Sequence, residues 1–182
     1  MNKSNETIAL ETMNWVNRVV IGLNFCPFAK PVVTQDKLHL RVVQDSDWAA
    51  ILTEVIDECN LLDASANKET SLVVLPGLEG DFLAYLDLVQ LAEDLLEMHG
   101  FLGIYQLATF HPDYVFAEAS TDDPANYTNR SPYPMLHIIP EEQLQKAIES
   151  YPDVAQIPKN NKKLARLKGL AAMETLRKNC FT

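Results

Sequence analysis

Residues 71–76 read S-L-V-V-L-P. Four apolar side chains in succession, stopped by a proline, mark a strand covered on both faces rather than one that alternates between core and water. Such a strand needs helices on either side of its sheet, and the flanking sequence supplies them. Upstream, Trp48, Ile51, Leu52, Val55, Cys59 and Leu62 form one helical stripe, with Ser46 and Asp47 as cap candidates. Before that, L-H-L-R-V-V at 38–43 reads as a strand. Downstream, Gly77 and Gly80 frame a turn, and a long helix runs from Asp81 to about His99, closed by Gly100. Residues 101–110 then read as another strand.

The outer segments extend this alternation. Ala9, Met13, Val16, Val19, Val20 and Leu23 have helical spacing, with Ser4 and Asn5 as caps and Gly22 as terminator. N-F-C-P-F-A-K-P follows and reads as a structured loop, because Cys26 and Lys30 each precede a proline and are biased toward extended geometry. Residues 111–135 hold Pro112, Pro124, Pro132 and Pro134 with little periodicity, as a long ordered loop does. A short strand at 136–139 and a short helix from Pro140 come next. The linker Y-P-D-V-A-Q-I-P precedes a basic helix at about 159–180. The expected fold is therefore a single α/β domain spanning 1–182: a mixed sheet of about four strands flanked by helices, with a long ordered loop before the last strand.

Charge and composition narrow the function classes. Net charge is −10, and residues 159–182 hold seven Lys/Arg against one acid, Glu174. The remaining 158 residues carry eight bases and twenty-four acids, a net of −16. That body repels a nucleic-acid backbone, so nucleic acid is not an expected partner. The basic helix reads either as a tail for an anion or RNA or as a helix docked on the acidic body; docking is the expectation, with Leu164, Leu167, Leu170 and Ala171 inward. No apolar run is long enough to span a membrane, and the start M-N-K-S-N-E-T lacks the pattern of a signal peptide. With three widely spaced cysteines, a reduced, cytoplasmic setting is expected. No G-x-G-x-x-G follows a strand, and no P-loop or C-x-x-C is present. The sequence leaves both the oligomeric state and the identity of any cofactor open.

The stretches V-I-G-L-N-F-C-P-F-A-K (20–30), T-F-H-P-D-Y (109–114) and Y-T-N-R-S-P-Y-P-M-L-H-I-I-P (127–140) together resemble the bacterial domain-of-unknown-function family 1415. The resemblance runs from about Trp15 to the basic helix. It implies a single-domain soluble protein and assigns no activity. One departure is visible: the family pattern places L-R-E after the last histidine, whereas I-I-P-E follows His137 here, so a role for that arginine is absent.

The same stretches hold the reactive side chains. Cys26 is either a small packing residue or a nucleophilic thiol activated by Lys30, Arg130, His111 or His137. Cys59 falls on an apolar stripe and reads as packing. His111 either braces a turn or serves as a base; His137, between Leu136 and Ile138, faces the opposite side of its strand from them. Arg130 is the only base between Lys68 and Lys146. It either grips an anionic small molecule, helped by Asn129, Tyr127, Ser131, Tyr133 and Lys30, or pins its own loop through backbone carbonyls. Three functions follow: an enzyme using Cys26 with His111 or His137 as catalytic partners on an anionic substrate; a metal site drawn from Cys26, His111, Asp113 and His137; or a non-catalytic ligand-binding or adaptor domain. All three expect the motif segments to meet in one pocket, and the first expects a depressed Cys26 pKa.

Overall fold

In the computed structural model, which describes residues 3–151 and 153–182, the apolar run forms strand β2 (Thr70–Val74), with all five residues buried. Its neighbours are β1 (Leu38–Val42), parallel to it, and β4 (Met135–Pro140), antiparallel to it. The fourth strand, β3 (Tyr105–Phe110), pairs antiparallel with β4, giving the order β1-β2-β4-β3. The last strand thus inserts between β2 and β3, which run in the same direction. The fold is α/β, as the alternation of patterns indicates.

Helices cover both faces. On one side lie α3 (Trp48–Ala64) and α4 (Phe82–Met98), packed against Val73, Leu75, Leu136 and Ile138. On the other lie α1 (Asn5–Trp15), α6 (Ile157–Lys168) and α7 (Leu170–Lys178), packed with Leu72, Val74 and Met135. Each fully buried aliphatic side chain in these layers contributes about 1.5–3 kcal/mol of transfer free energy. Caps fall where the sequence places them: Ser4 accepts from the Thr7 amide, Asp47 from Ala50, and Asp81 from Leu83 and Ala84. Among the described residues no helix is long and apolar enough to cross a membrane.

Four local expectations are corrected. The first helical segment ends at Gly22 as expected, but not as a plain α-helix with a left-handed glycine: α1 opens into a wider π-helical turn over Val16–Ile21, Gly22 keeps φ −62°, and Asn24, at φ 54°, turns the chain. The segment after Cys26 is not all loop: α2 (Ala29–Thr34) follows, and Lys30 is helical although it precedes Pro31, because a first-turn proline gives up no helical hydrogen bond. Residues 102–104 form a turn around Gly103 (φ 76°), so β3 begins at Tyr105. The basic segment is two helices, broken at Gly169 (φ 82°, ψ 161°). The break resets the helical phase. Leu167 is 82% exposed and Ala171 is exposed, while Ala165 and Met173 are the buried contacts. Leu164 and Leu170 do pack inward. Pro152 of the preceding linker lies outside the described residues, as do Met1 and Asn2 of the start; a 3-10 turn at Val154–Gln156 leads into α6.

A buried carboxylate ties the first and last segments together. Glu11 on α1 is fully buried and accepts from Lys3 Nζ at 2.7 Å, the Thr182 amide at 3.0 Å and the Tyr133 hydroxyl. Burial alone would raise its pKa, but these donors hold it below the usual carboxylate value.

Candidate functional site

All three motif segments reach one cavity, through Cys26 and Phe28, Phe110, and His137, but His111 and Arg130 do not line it. The sheet face toward α1 is not completely filled. A cavity of about 730 Å³ lies between it, the π-helical turn, α2 and α5 (Glu141–Ser150). Leu72, Ala108 and His137 form its floor; Trp15, Val16, Val20, Phe28 and Val32 form walls; Gln143, Leu144 and Lys146 of α5 close one side. Cys26 is in the wall. The register explains the open space: His137 on β4 pairs directly with Ala108 on β3, whose side chain is too short to cover the floor beside it.

The uncharged polar lining residues include Cys26, Thr70 and His137 on the sheet side and Gln143 on α5. Thr70 Oγ1 donates to the Ile138 carbonyl and lies 2.7 Å from His137 Nε2. Enclosure by protein lowers the His137 pKa to about 4, so the ring is neutral near pH 7. Burial pushes the Cys26 thiol up, against a smaller opposing pull from the backbone amides of Phe28 and Ala29. The expectation of a depressed Cys26 pKa is thus corrected: the start of α2 supplies amides, but among the described residues no cation contributes to outweigh desolvation. The charged groups at the rim are already paired, Lys146 with Glu142 at 2.6 Å and Glu69 with Lys37.

The other candidates lie elsewhere. His111 follows Phe110, which faces α1 and meets Trp15 edge-on, so strand alternation turns His111 to the opposite face. There it is fully buried between Phe82 and Tyr85; its Nδ1 accepts from the Asp113 amide at 3.0 Å and its Nε2–H donates to the Leu78 carbonyl at 3.3 Å. Both nitrogens brace the turn. Arg130 pins the long loop. Its Nε donates to the Tyr114 carbonyl at 3.0 Å and its Nη2 to the Thr121 carbonyl at 2.9 Å, with the guanidinium over the Tyr127 ring. Asn129 donates to the Thr109 carbonyl and Ser131 to that of Tyr133, whose own hydroxyl serves Glu11. Lys30 is exposed on α2, outside the cavity lining. The motif segments therefore share one cavity, but of the candidate reactive side chains only Cys26 and His137 line it. Among the described residues no three His, Cys, Asp or Glu side chains are placed to hold a metal ion, so Cys26, His111, Asp113 and His137 do not form the ligand set considered above.

Sequence reading passed over Thr70, Ala108 and the α5 face. Thr70 precedes the apolar run and carried no distinguishing pattern; its importance comes from cross-strand neighbours. A second cavity of about 340 Å³, bordered by Lys3, Gln44, Glu79 and Tyr133, is less suited to a ligand. Lys3 and Tyr133 already serve Glu11, and Gln44 donates to Asn5 and to the Lys3 carbonyl.

Fold and site together define a three-layer α/β protein with a ligand-sized apolar cavity on one face of its sheet. The chain belongs to the family described as protein of unknown function DUF1415, whose profile matches residues 7–175. Comparison with curated proteins and with solved structures found no match.

Proposed function

We propose that this protein binds a small, uncharged and predominantly apolar molecule in the cavity beside Cys26 and His137. The observation carrying this reading is the cavity: about 730 Å³, walled by aliphatic and aromatic side chains, with few polar groups inside, which is the usual make-up of a small-molecule site. A neutral ligand is favoured over an anionic one. Arg130 is committed to its loop, and the one Lys or Arg among the described lining residues, Lys146, is paired with Glu142. Nucleic acid remains outside the reading because of the acidic body, and a cytoplasmic setting stays consistent with three free thiols. Catalysis is a second reading, supported by a thiol and an imidazole on one cavity wall and floor. It requires a bound ligand to make the Cys26 thiolate more favourable than it is in the empty site.

Protection of Cys26 tests the binding reading. Alkylation of the native protein by iodoacetamide, followed by mass spectrometry, gives a rate at Cys26. Naphthalene should slow that rate saturably, and Ala108→Phe, which fills the floor, should abolish the protection. A Cys26 rate indifferent to naphthalene at its solubility limit would count against an apolar ligand site.

A further inference from the structure

The hydrogen bonds under the cavity floor fix what His137 can recognise. Thr70 Oγ1 has one proton, and a carbonyl oxygen has none to give, so the contact between Oγ1 and the Ile138 carbonyl uses the hydroxyl proton. Oγ1 can then only accept from His137 Nε2, 2.7 Å away. The imidazole proton is therefore on Nε2. A neutral ring has no second one, so Nδ1 carries a lone pair. Among the described residues Nδ1 has no protein partner, and it is not one of the atoms sealed from solvent without a partner, which are Thr12 Oγ1, Trp15 Nε1 and Arg177 Nε. With His137 lining the cavity, that lone pair is open to an occupant.

From this geometry we infer that His137 Nδ1 is the specificity-determining acceptor of the cavity, selecting apolar molecules that present a hydroxyl or N–H donor over those that present only a carbonyl or ether oxygen. The inference rests on the binding reading above and adds ligand chemistry to it. Thr70 acts as a positioning residue: it holds the tautomer by accepting from Nε2 while its own proton is engaged. A donor-bearing occupant gains a hydrogen bond in a site poor in water. An ether or ketone of the same shape sets its oxygen against the Nδ1 lone pair and leaves the imidazole unpaired. The low His137 pKa supports the same picture, because the ring stays neutral, and its Nδ1 an acceptor, across the pH range of ordinary assays.

Three probes of similar shape separate this inference from the reading beneath it: 1-naphthol, 1-methoxynaphthalene and naphthalene. Their dissociation constants would be measured by fluorescence of Trp15, which lines the cavity, with a Trp48→Phe background to remove the second tryptophan. 1-Naphthol should bind about tenfold more tightly than its methyl ether, in line with one net hydrogen bond plus relief of an unpaired acceptor. His137→Leu should bring the three constants together while leaving naphthalene bound. Nitrogen-15 NMR of the imidazole adds a readout independent of that variant's folding: the proton should be on Nε2, and 1-naphthol, but not its ether, should shift the Nδ1 resonance. Equal affinities for naphthol and ether, or a proton found on Nδ1, would overturn the inference and leave the cavity reading intact. Failure of all three probes to bind would overturn both.

Discussion

Ala108→Leu is expected to stabilise this protein, which is the reverse of what the same change does in a filled core. Ala108 lines the cavity floor opposite His137, so three added carbons enter open space rather than a neighbour's volume. At about 0.8 kcal/mol per buried methylene the transfer gain is about 2.4 kcal/mol, and ordering a leucine side chain returns about 0.5–1 kcal/mol. The net is a gain of about 1.5 kcal/mol. For a chain of this size that raises Tm by about 3–6 °C.

The control is Ala92→Leu on α4. Ala92 is fully buried and packed in the opposite core cluster, so the same three carbons overfill it at a cost of about 1–3 kcal/mol. Differential scanning calorimetry of the two variants reads the sign directly. A Tm that rises for Ala108→Leu and falls for Ala92→Leu matches the packing described here. If Ala108→Leu melts lower by as much as Ala92→Leu, the floor is filled in solution, and both the cavity and the function built on it fall.

Further expectations concern groups whose partners are defined. Glu11→Gln should lower stability at pH 7 by about 2–3 kcal/mol, since three donors lose a buried carboxylate. Because the folded Glu11 pKa is depressed, that contribution is present above the ordinary value of 4.5 and is lost as pH falls through the folded value, so urea midpoints of wild type and variant should converge in acid. Arg130→Ala should cost about 2 kcal/mol of stability, through two lost carbonyl contacts and the stacked Tyr127, yet leave the affinity for naphthalene unchanged; a loss of affinity without a loss of stability would restore Arg130 as a ligand-binding residue. His137 titrates at about 4 when folded and near 6.5 when unfolded, so between these values the unfolded chain binds the extra proton and stability falls as pH drops. The difference in urea midpoint between wild type and His137→Leu should shift in that window, and a difference that stays flat from pH 7 to 4.5 would show that the ring is solvated.

The sheet was readable where the signal is local. The run Leu72–Leu75 needs cover on both faces whatever its neighbours are, and Asp47 and Asp81 satisfy amides two or three residues ahead. What was not readable depends on distant pairing. Whether His111 and His137 share a face follows from the parity of β3 relative to Phe110 and from the register Ala108–His137, and no spacing within either segment reports that. Arg130 finds carbonyls nine and sixteen residues upstream, so its commitment to the loop is a property of how residues 111–134 close on themselves. Leu167 read as inward because helical periodicity was extended across Gly169, where the backbone leaves the helix and the phase restarts.

The energetics of the cavity separate residues that stabilise the fold from residues that do not. An alanine facing open volume forgoes packing that a larger aliphatic side chain would provide. A histidine held neutral by burial gives up the hydration of its charged form and, among the described residues, bonds through only one ring nitrogen. A cysteine whose thiolate is disfavoured gains nothing from its acidity. Stability alone would favour leucine or phenylalanine at positions 108 and 137, and the opposite face has that composition, with Val73, Leu136 and Ile138 packed under α3 and α4. The contrast between the two faces of one sheet locates the departure from optimal packing at a single place. Departures of this kind are expected where a site must stay open for an occupant. On this reasoning an occupant with an apolar body and one donor group would supply the packing that Ala108 omits and the proton that His137 Nδ1 lacks. It should therefore raise the melting temperature of the wild-type protein more than that of Ala108→Leu.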